Sequence, residues 1–313
     1  MTRGKFIALA AATLLFADVL SASAVPSVAQ EPTFKSSVDL VRVSATVRDK
    51  KGKFVPDLTI RDFTVLDGDQ QKPIADFRHD AAGISVALLF DVSGSMEARL
   101  GNAREAAQHL LAWLEPRDEA AVYTFDTHLD EVAPFTAGLH VLPDRLSSIT
   151  PFGATSLNDA IAATAKRVVA QDGRRRAVIV FTDGKDNSSR MKASEVSAAA
   201  SAIDVPVYVI GIVPSIDNPS ADTSTGAREQ SSLVGTLEDL ADWTGGEAFV
   251  VSTPAERSTA ARSIVDELRH QYLIAVESSN TPGWHALTIH ARDKNLVVKA
   301  RSGYFAGQSR PVS

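Results

Sequence analysis

Two aspartates and three hydroxyl side chains have the types and the spacing that could bind a divalent cation. Asp91, Ser93 and Ser95 lie within five residues of one another, while Thr155 and Asp183 each stand beside a glycine-containing turn. Carboxylates and hydroxyls are hard oxygen donors, and neither histidine nor cysteine belongs to the set, which favours Mg²⁺, Mn²⁺ or Ca²⁺ over Zn²⁺ or copper. We expect Mg²⁺, because few protein ligands leave positions for the waters that this ion retains.

The segments before these side chains predict how they come together. Residues 84–90 and 177–182 are almost entirely apolar, which is typical of strands buried on both faces of a parallel sheet. In such sheets ligands collect at the carboxyl ends of strands where the strand order reverses. We therefore expect these two strands to be neighbours at such a switch point, with the Thr155 loop reaching the same crevice.

The rest of residues 84–270 alternates strand and helix patterns, which predicts a Rossmann-like, doubly wound, mostly parallel α/β sheet. The further strands are expected at 120–125, 205–212 and 248–251. The helices are expected at 100–114, 156–170, 193–203, 235–243 and 255–270. The segment 214–232 interrupts the alternation and is rich in Ser, Asp, Thr and Gly, so it is predicted to be a surface loop.

Short strand patterns flank this domain on both sides. In the segment 30–80 they occur at 38–47, 63–66 and 74–77, the last two as a possible hairpin. In the segment 271–313 they occur at 271–277, 284–291 and 296–301. Because neither set can bury a core alone, we expect them to pair into one small β-rich unit.

Residues 1–29 have the features of a secretory signal peptide. Arg3 and Lys5 precede the apolar run 6–17, and small residues follow up to Ala24 and Ala29, the two expected cleavage points. The run is too short to span a bilayer comfortably. The prediction is an exported chain, periplasmic or extracellular, without membrane insertion once the leader is removed.

Composition excludes several classes of function. The 313 residues contain no cysteine, which excludes disulfides, thiolate metal sites and cysteine nucleophiles. The formal net charge of −6, with acidic and basic residues interleaved, lacks the basic footprint that nucleic-acid binding requires. Nucleic acid is therefore not an expected partner.

Three segments carry a resemblance to a known family. Asp91–Met96, the Thr155 loop and Phe181–Gly184 resemble the three metal loops of von Willebrand factor type A domains, and the likeness extends over residues 84–271. One departure is Ala154, where that family often has a second glycine. The resemblance implies a metal-ion-dependent adhesion site and a protein or peptide partner that completes the metal's coordination with an Asp or Glu side chain.

The resemblance also assigns a role to each site residue. It implies that Ser93, Ser95 and Thr155 touch the metal, and that Asp91 and Asp183 act directly or through water. A narrower resemblance, to the exported VWFA-related proteins found widely in Acidobacteria, rests on landmarks along the chain. These are 49–52, 62–63, 66–68, 244–246, 271–272 and 301–304.

Each residue also has a simpler interpretation. The serines and Thr155 could cap the helices that follow them, and Asp183-Gly184 could be a turn at a strand end. Asp126 and Asp186 could contribute outer contacts to the metal or be ordinary loop residues, and the same holds for Asn187 and Asp159.

Three functions remain open from the sequence. The first is a binding module that uses the metal to capture an acidic side chain. The second is a structural scaffold whose site is seldom occupied. The third is a Mg²⁺-dependent phosphohydrolase with Asp91 as nucleophile, but phosphatases of the haloacid dehalogenase type carry a second Asp at the position of Ser93. We therefore expect no enzymatic activity.

Overall fold

The computed structural model describes most of the chain from residue 39 onward. The described residues are 39–79, 83–168, 174–192, 195–196, 199, 204–214 and 237–307. The predicted signal peptide, the surface loop from residue 215 and most of the helix expected at 193–203 lie outside them. Within the described residues, no helix combines the length and the apolar character needed to cross a membrane.

Six strands of the described chain form a central sheet in the order β10-β9-β8-β5-β6-β7. Every neighbouring pair is parallel except β6 with β7, which confirms the predicted mostly parallel α/β sheet. The strands are β5 (Ile84–Asp91), β6 (Glu119–Phe125), β7 (Leu129–Ala137), β8 (Arg175–Thr182), β9 (Val207–Ile212) and β10 (Ala248–Val251).

Helices cover both faces of this sheet. They are α1 (Leu100–Trp113), α2 (Asp144–Ser147), α3 (Leu157–Val168) and α4 (Pro254–Arg269), with a further helical stretch at 237–244. Successive side chains of β5 point to opposite faces of the sheet. Leu88 packs in the cluster that includes α1 and α4, and Leu89 packs in the cluster that includes α3. Burial on both faces explains the unbroken apolar sequence of β5.

The strands outside this domain form two four-stranded antiparallel sheets around one core, which confirms that strands from both ends of the chain pair. One sheet has the order β13-β1-β11-β4 and the other β14-β12-β2-β3. The strands are β1 (Leu40–Arg48), β2 (Phe63–Asp67), β3 (Gln70–Lys72), β4 (Ile74–Arg78), β11 (Tyr272–Glu277), β12 (Gly283–Ala291), β13 (Val297–Ala300) and β14 (Gly303–Ala306).

The expected hairpin between residues 63–66 and 74–77 is wrong. β2 forms its hairpin with β3, where Val65 pairs with Lys72, and β4 pairs instead with β11 in the other sheet. Pro73 stands between β3 and β4 and has no N–H to donate to a ladder. The chain changes sheets at this proline.

A buried carboxylate links the antiparallel sheets to the α/β domain. Glu267 of α4 accepts hydrogen bonds from Lys299 of β13 at 3.0 Å and from Tyr208 of β9 at 3.0 Å. Arg48 of β1 lies 3.7 Å from the same carboxylate. Because a buried charge needs such partners, these contacts tie the two parts of the fold together.

Candidate metal centre

The predicted switch point exists between β5 and β8. The chain leaves β5 for β6 on one side of the sheet, while β8 pairs with β5 on the other side, with Phe90 opposite Phe181. Asp91 is therefore at the end of β5 directly beside the end of β8. Two strand ends with diverging connections leave the crevice in which α/β proteins bind ligands.

Asp91 is fully buried and held from two directions. Its Oδ1 accepts a hydrogen bond from the backbone N–H of Ser93 at 2.9 Å, and its Oδ2 accepts one from the Thr182 hydroxyl at 2.7 Å. Burial raises the pKa of Asp91, with a smaller contribution from the charge of Asp183, while the bonds from Ser93 and Thr182 act in the opposite direction. This carboxyl group is therefore held in place by the serine loop on one side and by the end of β8 on the other.

The two serine hydroxyls converge above Asp91. Ser93 Oγ and Ser95 Oγ are 3.2 Å apart. Ser93 precedes the short 3-10 turn Gly94–Met96, but its side chain makes no capping hydrogen bond there, and α1 has Arg99 at its N-cap position. Helix capping therefore does not explain the Ser93 hydroxyl.

The Thr155 loop is attached to the serine loop through the backbone. Gly94 N–H donates to the carbonyl of Gly153 at 3.1 Å, and Phe152 N–H donates to the carbonyl of Val92 at 2.9 Å. Gly153 has φ of 86°, in the left-handed region that favours glycine. The pairing places the two loops side by side.

Thr155 itself is buried and anchored to the loop that follows β8. Its backbone N–H donates to Asn187 Oδ1 at 2.8 Å, and its carbonyl accepts from the Asn187 N–H at 3.1 Å. The next residue, Ser156, donates its N–H to the carbonyl of Asp126 at 2.8 Å, at the end of β6. The structure thus brings all three loops to one edge of the sheet.

Asp183 is held by two cations. Its side chain is 3% exposed, and its Oδ2 accepts a hydrogen bond from Arg99 Nη1 at 2.8 Å and lies 3.6 Å from Lys185 Nζ. The same Arg99 nitrogen donates to the carbonyl of Ser95 at 2.8 Å. Asp183 therefore belongs to an ion pair that also contacts the serine loop.

The two aspartates considered as outer contacts brace the loops. Asp126 Oδ1 accepts from the N–H of His128 at 2.7 Å, which closes a turn after β6. Asp186 Oδ2 accepts from the N–H of Asn158 at 3.0 Å, at the start of α3, and its Oδ1 accepts from the N–H of Ser189 at 3.0 Å. Asp159 bonds residues 190 and 191 in the same way.

The contacts that Thr182 and Arg99 make in the site were not predicted from the sequence. A threonine that ends an apolar strand is common for its β propensity, so its hydroxyl gave no separate signal. The contact between Arg99 and Asp183 joins residues 84 positions apart and depends on loop conformation. Only the adjacency of Thr182 to Asp183 could have suggested that its hydroxyl faces the site.

The donor set fits a hard cation. Two oxygens that bind Mg²⁺ at right angles, each about 2.0–2.1 Å from it, stand about 3 Å apart, and the two serine oxygens have nearly this separation. Within the described residues, no group of three or more His, Cys, Asp and Glu side chains could hold a metal. A cation here would therefore depend on hydroxyl ligands together with the two aspartates.

Comparison with known proteins finds a family match over part of the chain. Residues 86–185 match the family described as the von Willebrand factor type A domain, whereas no curated protein matches the chain. A solved structure of a von Willebrand factor type A protein from Catenulispora acidiphila is 13% identical, covers 78% of this chain and 76% of its own, and has a TM-score of 0.46.

Two other solved structures are similar over part of the chain. An aerotolerance-related membrane protein from Bacteroides fragilis, with multiple mutations to serines, is 22% identical, with 59% of this chain and 98% of its own covered and a TM-score of 0.48. The pilus adhesin SpaC from Lactobacillus rhamnosus GG is 10% identical, with 78% and 47% covered and a TM-score of 0.45. From the family match over residues 86–185 and the sheet topology, we conclude that this part of the chain has a von Willebrand factor type A fold, and that it includes all three loops.

Proposed function

We propose that this domain is a metal-dependent protein-recognition module. Ser93, Ser95 and Thr155 would hold the cation directly, with Asp91 and Asp183 acting directly or through water. Mg²⁺ is the preferred ion, with Mn²⁺ or Ca²⁺ as alternatives. When bound, the cation supplies a positively charged coordination position for an Asp or Glu side chain of a protein or peptide partner. The observation that carries the proposal is the hydroxyl pair of Ser93 and Ser95 above the buried Asp91.

The charges around the site favour an acidic partner. The three hydroxyl ligands are neutral, and the charge of Asp183 is already compensated by Arg99 and Lys185. A divalent cation would therefore keep much of its positive charge, because Asp91 is the one carboxylate of the set without a cationic partner among its described contacts. Electrostatic attraction at close range then selects a carboxylate over a neutral group.

The geometry of Asp91 argues against phosphoryl transfer. A nucleophilic carboxylate needs an oxygen that can reach its substrate, but Asp91 is fully buried and both of its oxygens accept hydrogen bonds, from Ser93 and Thr182. The position of a second catalytic aspartate is occupied by Ser93. We therefore propose a binding function and no enzymatic activity, and a screen against generic phosphoesters tests that choice.

The scaffold alternative differs only in whether the site is occupied. The ion pair between Arg99 and Asp183 at 2.8 Å could stabilise the loops without any metal. What favours a working site is that this ion pair does not involve the Ser93 hydroxyl, which lies beside that of Ser95 instead. Titration with Mg²⁺ separates these two functions.

We also propose that the chain is an exported member of the VWFA-related subgroup. One of its landmarks has a clear packing requirement: a Cβ on Gly246 would lie 2.0 Å from the carbonyl oxygen of Val207, so that position accepts no side chain. Thr244, two residues earlier, accepts a hydrogen bond from the N–H of Val207 at 3.0 Å. The site residues would then act in the periplasm or outside the cell.

Capture from the native envelope fraction tests the recognition function. The purified protein is immobilised, loaded with envelope proteins in Mg²⁺ and eluted with EDTA. We expect specific proteins to be released by EDTA, and none of them to be retained by the Asp91→Asn variant, which keeps the size of the side chain but loses its charge. Identical eluates with and without EDTA, or from both proteins, would contradict metal-dependent recognition.

A further inference from the structure

The guanidinium of Arg99 lies within the candidate metal centre, between two of its loops. One nitrogen, Nη1, is 2.8 Å from the carbonyl oxygen of Ser95 and 2.8 Å from Asp183 Oδ2. Arg99 is also the N-cap residue of α1, directly before Leu100, so the start of the helix sets its backbone position. The positive charge is therefore held beside the side chains that would bind the cation.

Asp183 requires a positively charged partner when no metal is bound. Its side chain is almost completely buried, and removing a carboxylate from water is costly unless a positive group compensates it. Lys185, 3.6 Å away, is more than half exposed, so water screens its contribution. Arg99 is closer and less exposed, and is therefore the principal partner.

We propose that Arg99 is a resident counter-ion that stabilises the metal-free site and limits its affinity for divalent cations. The inference rests on the proposed metal-binding function. A bound cation and Arg99 would both be attracted by Asp183 while repelling each other at short range. Binding of the cation must therefore either weaken the ion pair between Arg99 and Asp183 or overcome the repulsion from Arg99. The arrangement keeps the loops assembled without metal and makes metal binding readily reversible.

The alternative is that Arg99 acts only as a clamp, holding the Ser95 carbonyl and Asp183 in place for the metal. The two roles predict opposite changes in cation affinity when Arg99 is replaced. If repulsion dominates, removal of the charge strengthens cation binding, whereas if clamping dominates, removal of the side chain loosens the loops and weakens it. Arg99→Gln removes the charge but keeps a hydrogen-bond donor, and Arg99→Lys keeps the charge but loses the planar group.

The test measures Mg²⁺ affinity by calorimetry, and thermal stability with EDTA and with saturating Mg²⁺. Arg262→Gln is the matched control. This exposed arginine pairs with Asp266 within α4 at 3.5 Å and lies over the ring of Trp113. Trp113 is at the opposite end of α1 from Arg99. We expect Arg99→Gln to bind Mg²⁺ at least about fivefold more tightly than the natural protein. Arg99→Lys and Arg262→Gln should stay within about twofold of it.

Thermal stability gives a second readout, independent of partner binding. In EDTA, Arg99→Gln should melt several degrees below Arg262→Gln, because Asp183 has lost its main partner, and saturating Mg²⁺ should close most of that gap. Unchanged or weaker Mg²⁺ binding by Arg99→Gln would overturn the counter-ion role, and so would a difference in melting temperature that saturating Mg²⁺ does not reduce. Either result would leave the proposed metal-binding function standing. If the natural protein and Arg99→Gln both fail to bind Mg²⁺, the metal-binding function falls and the inference falls with it.

Discussion

The hydroxyl of Thr182 donates a 2.7 Å hydrogen bond to Asp91, so the ends of β8 and β5 are joined through side chains as well as through the sheet. The same hydroxyl accepts from the N–H of Gly184 at 3.0 Å. Thr182 therefore connects the carboxylate beneath the serine loop to the turn that follows Asp183. A buried carboxylate held in this way has little freedom to reorient.

Replacement of Thr182 by valine should destabilise the protein and weaken metal binding. Valine has nearly the same shape but leaves Asp91 Oδ2 without its donor, and an unsatisfied buried acceptor costs about 1–3 kcal/mol. Urea unfolding in EDTA measures this loss. Thr182→Ser, which keeps the hydroxyl, is the control and should lose much less. Equal stability of the valine and serine variants would show that the hydrogen bond has no such role.

Phe152 offers a second contact for a partner. It is 82% exposed, directly precedes the Thr155 loop, and is fixed by the bond from its N–H to Val92. Burial of such a ring contributes about 1.5–3 kcal/mol, so Phe152→Ala should weaken binding of an EDTA-eluted partner about tenfold or more. Val141→Ala is the control, because Val141 is 69% exposed and its neighbours contact Gln108, far along α1. Equal loss of binding in both variants, or in neither, would exclude Phe152 from the interface.

The loops were predictable from the sequence, and some of their contacts were not. The apolar runs of β5 and β8 and the switch-point rule are enough to place Asp91 beside Asp183. The edge strand β7 was missed because Pro134 interrupts its pattern and much of it is exposed. The change of sheet at Pro73 was missed because an alternating sequence pattern indicates that a segment is a strand but does not indicate which strand it pairs with.

Every tyrosine of this chain should titrate abnormally. Burial, together with the hydrogen bond to Asp67, raises the pKa of Tyr304 to about 12. Burial also raises the pKa of the other three tyrosines, Tyr123, Tyr208 and Tyr272. Because an unfolded tyrosine ionises near pH 10, the stabilisation is fully present below that pH and is lost as the pH rises toward 12.

Absorbance at 295 nm measures this directly. We expect less tyrosinate near pH 10 in the native protein than in concentrated urea, where all four residues should ionise normally. Tyr304→Phe should lose less stability between pH 10 and 12 than the natural protein does. A native protein that forms as much tyrosinate near pH 10 as the unfolded chain does, while its circular dichroism is unchanged, would refute the burial argument.

The antiparallel sheets should not survive loss of their C-terminal strands. A chain that ends at Glu277 lacks β12, β13 and β14, and thereby exposes Phe63 and Val65 of β2, which are buried in the shared core. Each large side chain exposed in this way costs about 1.5–3 kcal/mol. Thermal unfolding followed by circular dichroism should show a melting temperature many degrees lower. A truncated chain as stable as the longer one would contradict the shared core.

Titration of the purified protein with Mg²⁺ by calorimetry tests the central claim most directly. The natural protein is compared with two variants. Ser93→Ala removes one of the two converging hydroxyls. Ser148→Ala, directly after α2, removes a hydroxyl that donates to the carbonyl of Arg145 within that helix. We predict that the natural protein and Ser148→Ala bind one Mg²⁺ with the same affinity, while Ser93→Ala binds at least about tenfold more weakly. Equal heats in all three proteins would contradict a metal centre at the serine loop.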